Sequence, residues 1–222
     1  MSKPQRGSKA EATPINISEW FRKVREKYAG QMQCGKGCTA CCHGLFDISL
    51  TDAVDVARGY SRLAPHVQKQ VYARAVALYA GIRETDPDLP VPTLLSEDDI
   101  LVDEIVEAAQ SPPCPFLGEA GECGIYENRP LPCRLEGVPM VDVRGGLFGG
   151  WCELNFRDGV PKDAKADLQI DYDLIDARQG ARSETIALRA GLHDARAVTF
   201  IPAVVAEYDR FWKRLLRDDS RR

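Results

Sequence analysis

The chain has 222 residues, 44% of them hydrophobic, and a formal net charge of −4. That length and composition suit one domain with an ordinary core, so the fold needs no disulfide staples. The interleaved charges exclude the broad basic face of a nucleic-acid binder, and no apolar run is long enough to span a bilayer.

Residues 1–14 are polar, contain Pro4, Gly7 and Pro14, and read as a disordered leader without the apolar stretch of a secretory signal. The sequence thus predicts a cytoplasmic protein whose thiols stay reduced or bind metal. A first helix is expected from Ser18 to Ala29, with Trp20, Phe21, Val24 and Tyr28 on one face and Gly30 ending it. The L-F-D-I-S segment reads as extended. A second helix follows, with Thr51 as its expected N-cap and Ala53, Val56, Ala57 and Tyr60 facing inward. Pro65 opens a third helix to about Ile82, and D-P-D-L-P-V-P at 86–92 must turn. Ser96 is placed to cap a fourth helix carrying Leu101, Ile105 and Ala109, and the acidic residues Asp98, Asp99, Asp103 and Glu104 read as dipole complement and solvated face. From Ser111 to Phe156 the chain is rich in Pro, Gly and Cys. Two strands are expected there, Val138–Val143 and one near Trp151, joined by a turn at Arg144-Gly145-Gly146. Helices return from about residue 165, ending in one from Ile201 to about Arg217.

Four of the eight cysteines, Cys34, Cys38, Cys41 and Cys42, fall within nine residues as C-G-K-G-C-T-A-C-C. Adjacent cysteines are poor disulfide partners, since their Cα atoms stand about 3.8 Å apart, below the usual range. Crowded thiolates repel, so such a cluster points to a neutralising metal ion or iron–sulfur cluster. Cys38-Thr-Ala-Cys41 is a C-x2-C, short enough for both sulfurs to reach one metal. Cys42 turns away from Cys41 and can serve a second metal or approach the same one from another side. Gly35 and Gly37 permit the turns that wrapping an ion requires.

The other set, Cys114, Cys123, Cys133 and Cys152, is spaced by 8, 9 and 18 residues. Prolines stiffen its loops, and Arg129 and Arg134 are placed to offset thiolate charge. The 71 residues between Cys42 and Cys114 are no barrier to a shared site. Loop closure costs only about 0.6 kcal/mol per doubling of length, against roughly 10–16 kcal/mol from a structural zinc. The two sets are therefore expected to converge.

C-x3-C-x2-C is also the spacing of radical S-adenosylmethionine enzymes, but Ala40 stands where an aromatic is expected and no βα repeats suggest a barrel. Zinc ribbons usually pair two C-x2-C knuckles, and one is present, which favours iron–sulfur over zinc. His43 reads as a loop residue beside the cluster, with a ligand role as the alternative; His66 and His193 carry no assigned role.

The cysteine run, the following strand and helix, then C-P-F-L, C-G-I-Y-E-N-R-P-L-P-C-R and a late cysteine resemble the bacterial CxxCxxCC cysteine-cluster family, associated with zinc or iron chelation and including flagellin lysine N-methylases. The resemblance covers about Cys34 to Cys152. It implies that all eight cysteines are ligands, with Tyr126, Arg129, Pro130 and Arg134 framing them; the three-residue gap between Cys34 and Cys38 departs from members that have two.

The expected architecture is a mainly α-helical α+β fold: a single metal-binding domain over 15–217, with its cysteine-rich, irregular short-strand subregion at 34–156, C-terminal helices at 165–217 and a tail at 218–222. The expected cofactor is an iron–sulfur cluster of the [4Fe–4S] type, with zinc as the alternative. The expected function is a redox or group-transfer protein acting on an unidentified protein or small-molecule partner, without nucleic acid or membrane. A zinc-bound structural or regulatory module is the rival reading, and lysine N-methylase-like activity a third. A coordination position left open would favour catalysis, and sites closed by four sulfurs would favour the structural role.

Overall fold

The computed structural model describes residues 16–34, 37–97 and 100–219. The expected leader, Gly35, Asp98 and Asp99 lie outside the described residues. Helix α1 (Ile17–Lys27) starts where the Asn16 side chain accepts from the Glu19 amide, and Tyr28 closes it. Val24, Tyr28 and Met32 bury against Val138, Phe156 and Leu168. Strand β1 (Asp47–Ser49) feeds α2 (Leu50–Ser61) without a loop. The cap of α2 is Ser49, not Thr51: the Ser49 oxygen accepts from the Asp52 amide at 3.2 Å. Thr51 is fully buried and its hydroxyl donates to the Gln179 carbonyl, so it anchors a later helix instead.

Helix α3 (Pro65–Thr85) begins with Pro65 in its first turn, as expected, and runs a few residues past Ile82. Helix α4 (Ile100–Ala108) buries Val102 and Ile105. The irregular stretch holds a 3-10 turn over Tyr126–Asn128, the short helix α5 (Leu131–Leu135) and a hairpin of β2 (Met140–Val141) with β3 (Leu147–Phe148). The hairpin turns where expected, because the Asp142 carboxylate accepts from the Arg144 and Gly146 amides. The second strand is Leu147–Phe148, and the segment around Trp151 stays outside it.

Helix α6 (Tyr172–Ala190) is capped by Asp171 and stopped by Gly191, whose φ of 67° suits glycine. Strand β4 (Val198–Phe200) pairs antiparallel with β1. The expected last helix is divided into α7 (Ile201–Ala206), a π-helical turn over Tyr208–Trp212, and α8 (Lys213–Asp219). The break follows Glu207, a buried carboxylate that accepts from the Thr93 amide and hydroxyl and from the Tyr79 hydroxyl.

The chain is a mainly α-helical α+β fold. Its main core joins α2 and α3 to the 201–216 segment through Leu50, Val56, Val71, Val204 and Trp212, with Phe116 and Ile125 of the cysteine-rich stretch packed in. A smaller cluster joins α1 to residues 138–168. Cys114 and Cys123 lie against the main core, while Cys34 lies against the smaller cluster. The cysteine loops thus occupy the seam between two apolar bodies. Among the described residues, no helix is long and apolar enough to cross a membrane.

Candidate metal centre

The chain beyond α1 is tied down by a buried amide. Asn155, 1% exposed, accepts from the Gln33 amide at 2.8 Å and donates from Nδ2 to the Cys34 Sγ at 3.1 Å. The same nitrogen donates to the Gly137 carbonyl, and the Asn155 amide donates to the Cys152 carbonyl at 2.9 Å. Gly137 has φ +88°, and a Cβ there would lie 3.3 Å from the Cys34 sulfur and 3.5 Å from the Cys152 Cβ. A residue with φ in this range and so little space favours glycine. Cys34, Gly137 and Cys152 therefore form one packed corner.

Cys42 ends a 3-10 turn, Ala40–Cys42, with its amide donating to the Thr39 carbonyl at 2.8 Å. Its carbonyl accepts from the Cys114 amide at 2.8 Å, and Gly44 donates to Pro112 at 2.8 Å, a bridge centred on His43 and Pro113. The His43 side chain is exposed. The chain then folds back on itself through a Leu117–Cys123 bridge, with Gly118 donating to Glu122 and Gly124 to Phe116. At the tip, Gly121 (φ +77°) leaves room for Gly37: an added Cβ would meet the Gly37 Cα and carbonyl at 3.2 Å. The two cysteine stretches thus touch through glycines.

Cys133 sits on α5, whose first amide, Leu131, donates to the Asp52 carboxylate of α2 at 2.8 Å. Gln179 of α6 donates to the same oxygen at 3.2 Å, and Ser49 to the other at 2.9 Å. Burial raises the Asp52 pKa, but the donors satisfy its oxygens. Gly59 of α2 gives the Ile125–Asn128 turn its seat, since any Cβ would fall 2.8 Å from the Asn128 Cβ and 2.9 Å from the Ile125 Cβ.

These supports bring the expected residues together. Cys34, Cys38, Cys41, Cys42, Cys114, Cys123 and Cys133 line one cavity of about 390 Å³, with Phe21 and Arg25 of α1, Tyr126 and Arg129 also on its wall. Cys152 stands behind Cys34 at the Gly137 corner. The Arg129 guanidinium stacks 3.7 Å from the Tyr126 ring centroid, and its charge favours the thiolates of Cys123 and Cys133. Arg134 acts on the backbone instead, donating to the carbonyls of Arg129 and Glu127 and to the Ser18 hydroxyl, which locks the turn that carries Arg129. Among the described residues, no group of three or more histidine, cysteine or acidic side chains stands in the geometry of a bound ion. The sulfurs share walls, not a focal point.

Burial pushes the Cys114 thiol up to about 11 and the Cys133 thiol up to about 12. It raises Cys34 and Cys123 as well. Cys41 is raised by donating a hydrogen bond to Cys42, which is lowered by accepting it. Cys34 lies within electrostatic reach of Cys38, Cys41 and Cys152, whereas Cys42 lies within reach of Cys114, Cys123 and Cys133; Cys41 is also felt by Cys123 and Cys133. Burying several thiolates together is unfavourable without positive charge. The donor set therefore fits a thiophilic metal or cluster, which would supply that charge and displace the thiol protons.

Two opposed pH dependences follow. Because the folded pKa values of Cys114 and Cys133 exceed the ordinary 9.0, the metal-free fold binds more protons than the unfolded chain above that pH. Its stability falls as pH rises from about 9 through the 11–12 window. Metal affinity runs the other way, gaining about tenfold per pH unit for each proton released. Chelator competition at pH 6.5 and 8.0, beside melts of stripped protein at alkaline pH, checks both slopes.

Sequence reasoning missed Asn155, Asp52, Gly59 and Gly137. Asn155 follows Cys152 by three residues, and Asp52 follows Ser49 by three, but neither spacing alone announces its role. A family model, CxxCxxCC, described as "Putative zinc- or iron-chelating domain", matches residues 33–152. No curated protein and no solved structure matches the chain.

Proposed function

The chain belongs to the CxxCxxCC family, and on that premise we propose that it binds iron as a [4Fe–4S]-type centre and serves as an electron-transfer protein. One observation carries the reading: seven thiols from two distant stretches line a single cavity beside Arg129. Iron is favoured over zinc because the sequence holds one C-x2-C knuckle where zinc ribbons pair two. The ligands would be drawn from Cys34, Cys38, Cys41, Cys42, Cys114, Cys123, Cys133 and Cys152. When bound, such a cluster supplies a one-electron couple.

The chain's own residues would tune that couple. Asn155 donates to the Cys34 sulfur at 3.1 Å, and Arg129 adds positive charge near Cys123 and Cys133. Donated hydrogen bonds and positive charge both stabilise the reduced, more negative state and so raise the potential. A reducing cytoplasm would keep the apoprotein's thiols ready for metal. A methyl-transfer role draws support only from the family resemblance.

Anaerobic purification tests the proposal through iron, acid-labile sulfide and the visible spectrum. A brown protein whose colour bleaches on reduction is expected. Colourless protein holding stoichiometric zinc would overturn the iron assignment and leave the structural-module reading standing.

A further inference from the structure

We infer that the groove between α3 and α4 docks an amphipathic helix of a protein partner, one whose apolar stripe is flanked by lysine or arginine. That surface lies outside the cysteine cavity, and docking there does not depend on which metal the cysteines hold.

Leu45, Leu78, Ile82, Ile105 and Pro112 form the floor of this groove, which encloses about 370 Å³. The two helices supply small, exposed residues at its edges: Ala77 and Gly81 from α3, Ala108 from α4. A Cβ added to Gly81 would meet nothing within 4 Å, so the α3 wall stands open. Small side chains on both walls let a third helix come close, with its apolar anchors spaced a turn apart over the floor.

Charge selects the partner. Among the described residues lining the groove, Glu84 is the one charged side chain, and it is exposed and without an ion pair. Helix α4 carries Asp103, Glu104 and Glu107, all exposed, and no basic residue. Arg83, the basic residue in the last turn of α3, is committed to the carbonyls of Leu89 and Pro87. An apolar floor beside carboxylates that no cation offsets complements a basic amphipathic helix and repels an acidic one.

The floor is also the back of the cysteine ribbon. Residues 42–46 and 112–115 run together, Gly44 donating to Pro112 and Cys114 to Cys42, each at 2.8 Å. Leu45 and Pro112 of that ribbon line the groove, while Cys42, Gly44 and Cys114 line the cysteine cavity. A helix seated on α3 and α4 therefore rests on the segment that positions two of the thiols, directly behind the cavity.

The test titrates the full chain with two fluorescent synthetic helices that share one leucine–alanine stripe, flanked by lysine in one and by glutamate in the other. The lysine helix should bind, more weakly as salt rises, and the glutamate helix should not. Glu84→Gln should weaken the lysine helix about threefold, the value of one exposed ion pair. Gly81→Leu fills the groove from an open position and should abolish binding without lowering the melting temperature or the metal content. Ala108→Lys, at an exposed position on the facing wall, should act in the same way and keeps the test decisive should Gly81→Leu misfold. Hydrogen exchange should slow over residues 77–85 and 105–114 when the lysine helix is bound. Equal binding of the two helices, binding that survives both groove variants, or no binding of the lysine helix overturns the proposal. Self-association of the chain alone that Gly81→Leu breaks would also overturn it, by seating a second copy in the groove.

Discussion

Stripping the metal from this chain leaves its helical content nearly unchanged but opens residues 37–44, 112–124 and 150–156 to hydrogen exchange and proteolysis. The reason lies in how unevenly the apolar contacts are distributed. Leu50, Ala53, Val56, Ala75, Val204 and Trp212 are fully buried and hold α2, α3 and α7 together without help from any cysteine. The cysteine loops have less support: apart from the single anchors Phe116 and Phe156 in the two apolar clusters, they are joined by a few hydrogen bonds, such as Cys114 to Cys42 and Gly44 to Pro112. Elements of low local stability open independently of the global fold. A ligand present at a thousand times its dissociation constant adds about 4 kcal/mol to whatever it binds, equivalent to about a thousandfold in protection. Exchange measured by mass spectrometry with and without chelator should show that difference confined to the loops, with α3 and α7 unaffected. Equal loss of protection throughout, or none, would show that the loops do not depend on a bound metal.

Gly59→Ala lowers the melting temperature, against the usual direction for such a change inside a helix. Replacing a helical glycine by alanine ordinarily gains up to about 1 kcal/mol. At Gly59 the new methyl would meet the Asn128 and Ile125 Cβ atoms at 2.8 and 2.9 Å. Those atoms are attached directly to backbone, so no rotamer change can move them aside. Contacts this short to Cβ atoms fall in the upper part of the overpacking range, about 2–3 kcal/mol, which outweighs the propensity gain and leaves a net loss of about 1–2 kcal/mol. For a domain of this size that is about 2–8 °C. Gly81, inside α3 with nothing within 4 Å of its added Cβ, is the matched control, and Gly81→Ala should raise the melting temperature slightly. If the two variants move together, the seat of the Ile125–Asn128 turn is not at Gly59. Because that turn lies between Cys123 and Arg129, the Gly59 variant should also bind metal more weakly.

The helices were legible because their apolar spacing reports burial directly, as in Val71, Ala75 and Ile82 of α3. The convergence of the cysteine stretches was legible too, because a run as dense as Cys34–Cys42 has few physical uses. Pairing of β1 with β4 was not, since three-residue strands this far apart in sequence leave no local signal. Ser49 and Thr51 compete for one cap, and only the position of Gln179 decides that Thr51 bonds elsewhere. The final helix reads as continuous until Glu207 is seen tied to Thr93 and Tyr79. Asn155, Gly59 and Gly137 share one explanation: each acts through a close tertiary approach, and nothing in a residue's neighbours along the chain records that.

X-ray absorption at the metal edge of anaerobically prepared protein is the most direct test of the central idea. A first shell made only of sulfur, at about 2.3 Å, and lost when cysteines from both stretches are replaced, is the predicted result. A shell of oxygen and nitrogen around the bound metal would contradict the account.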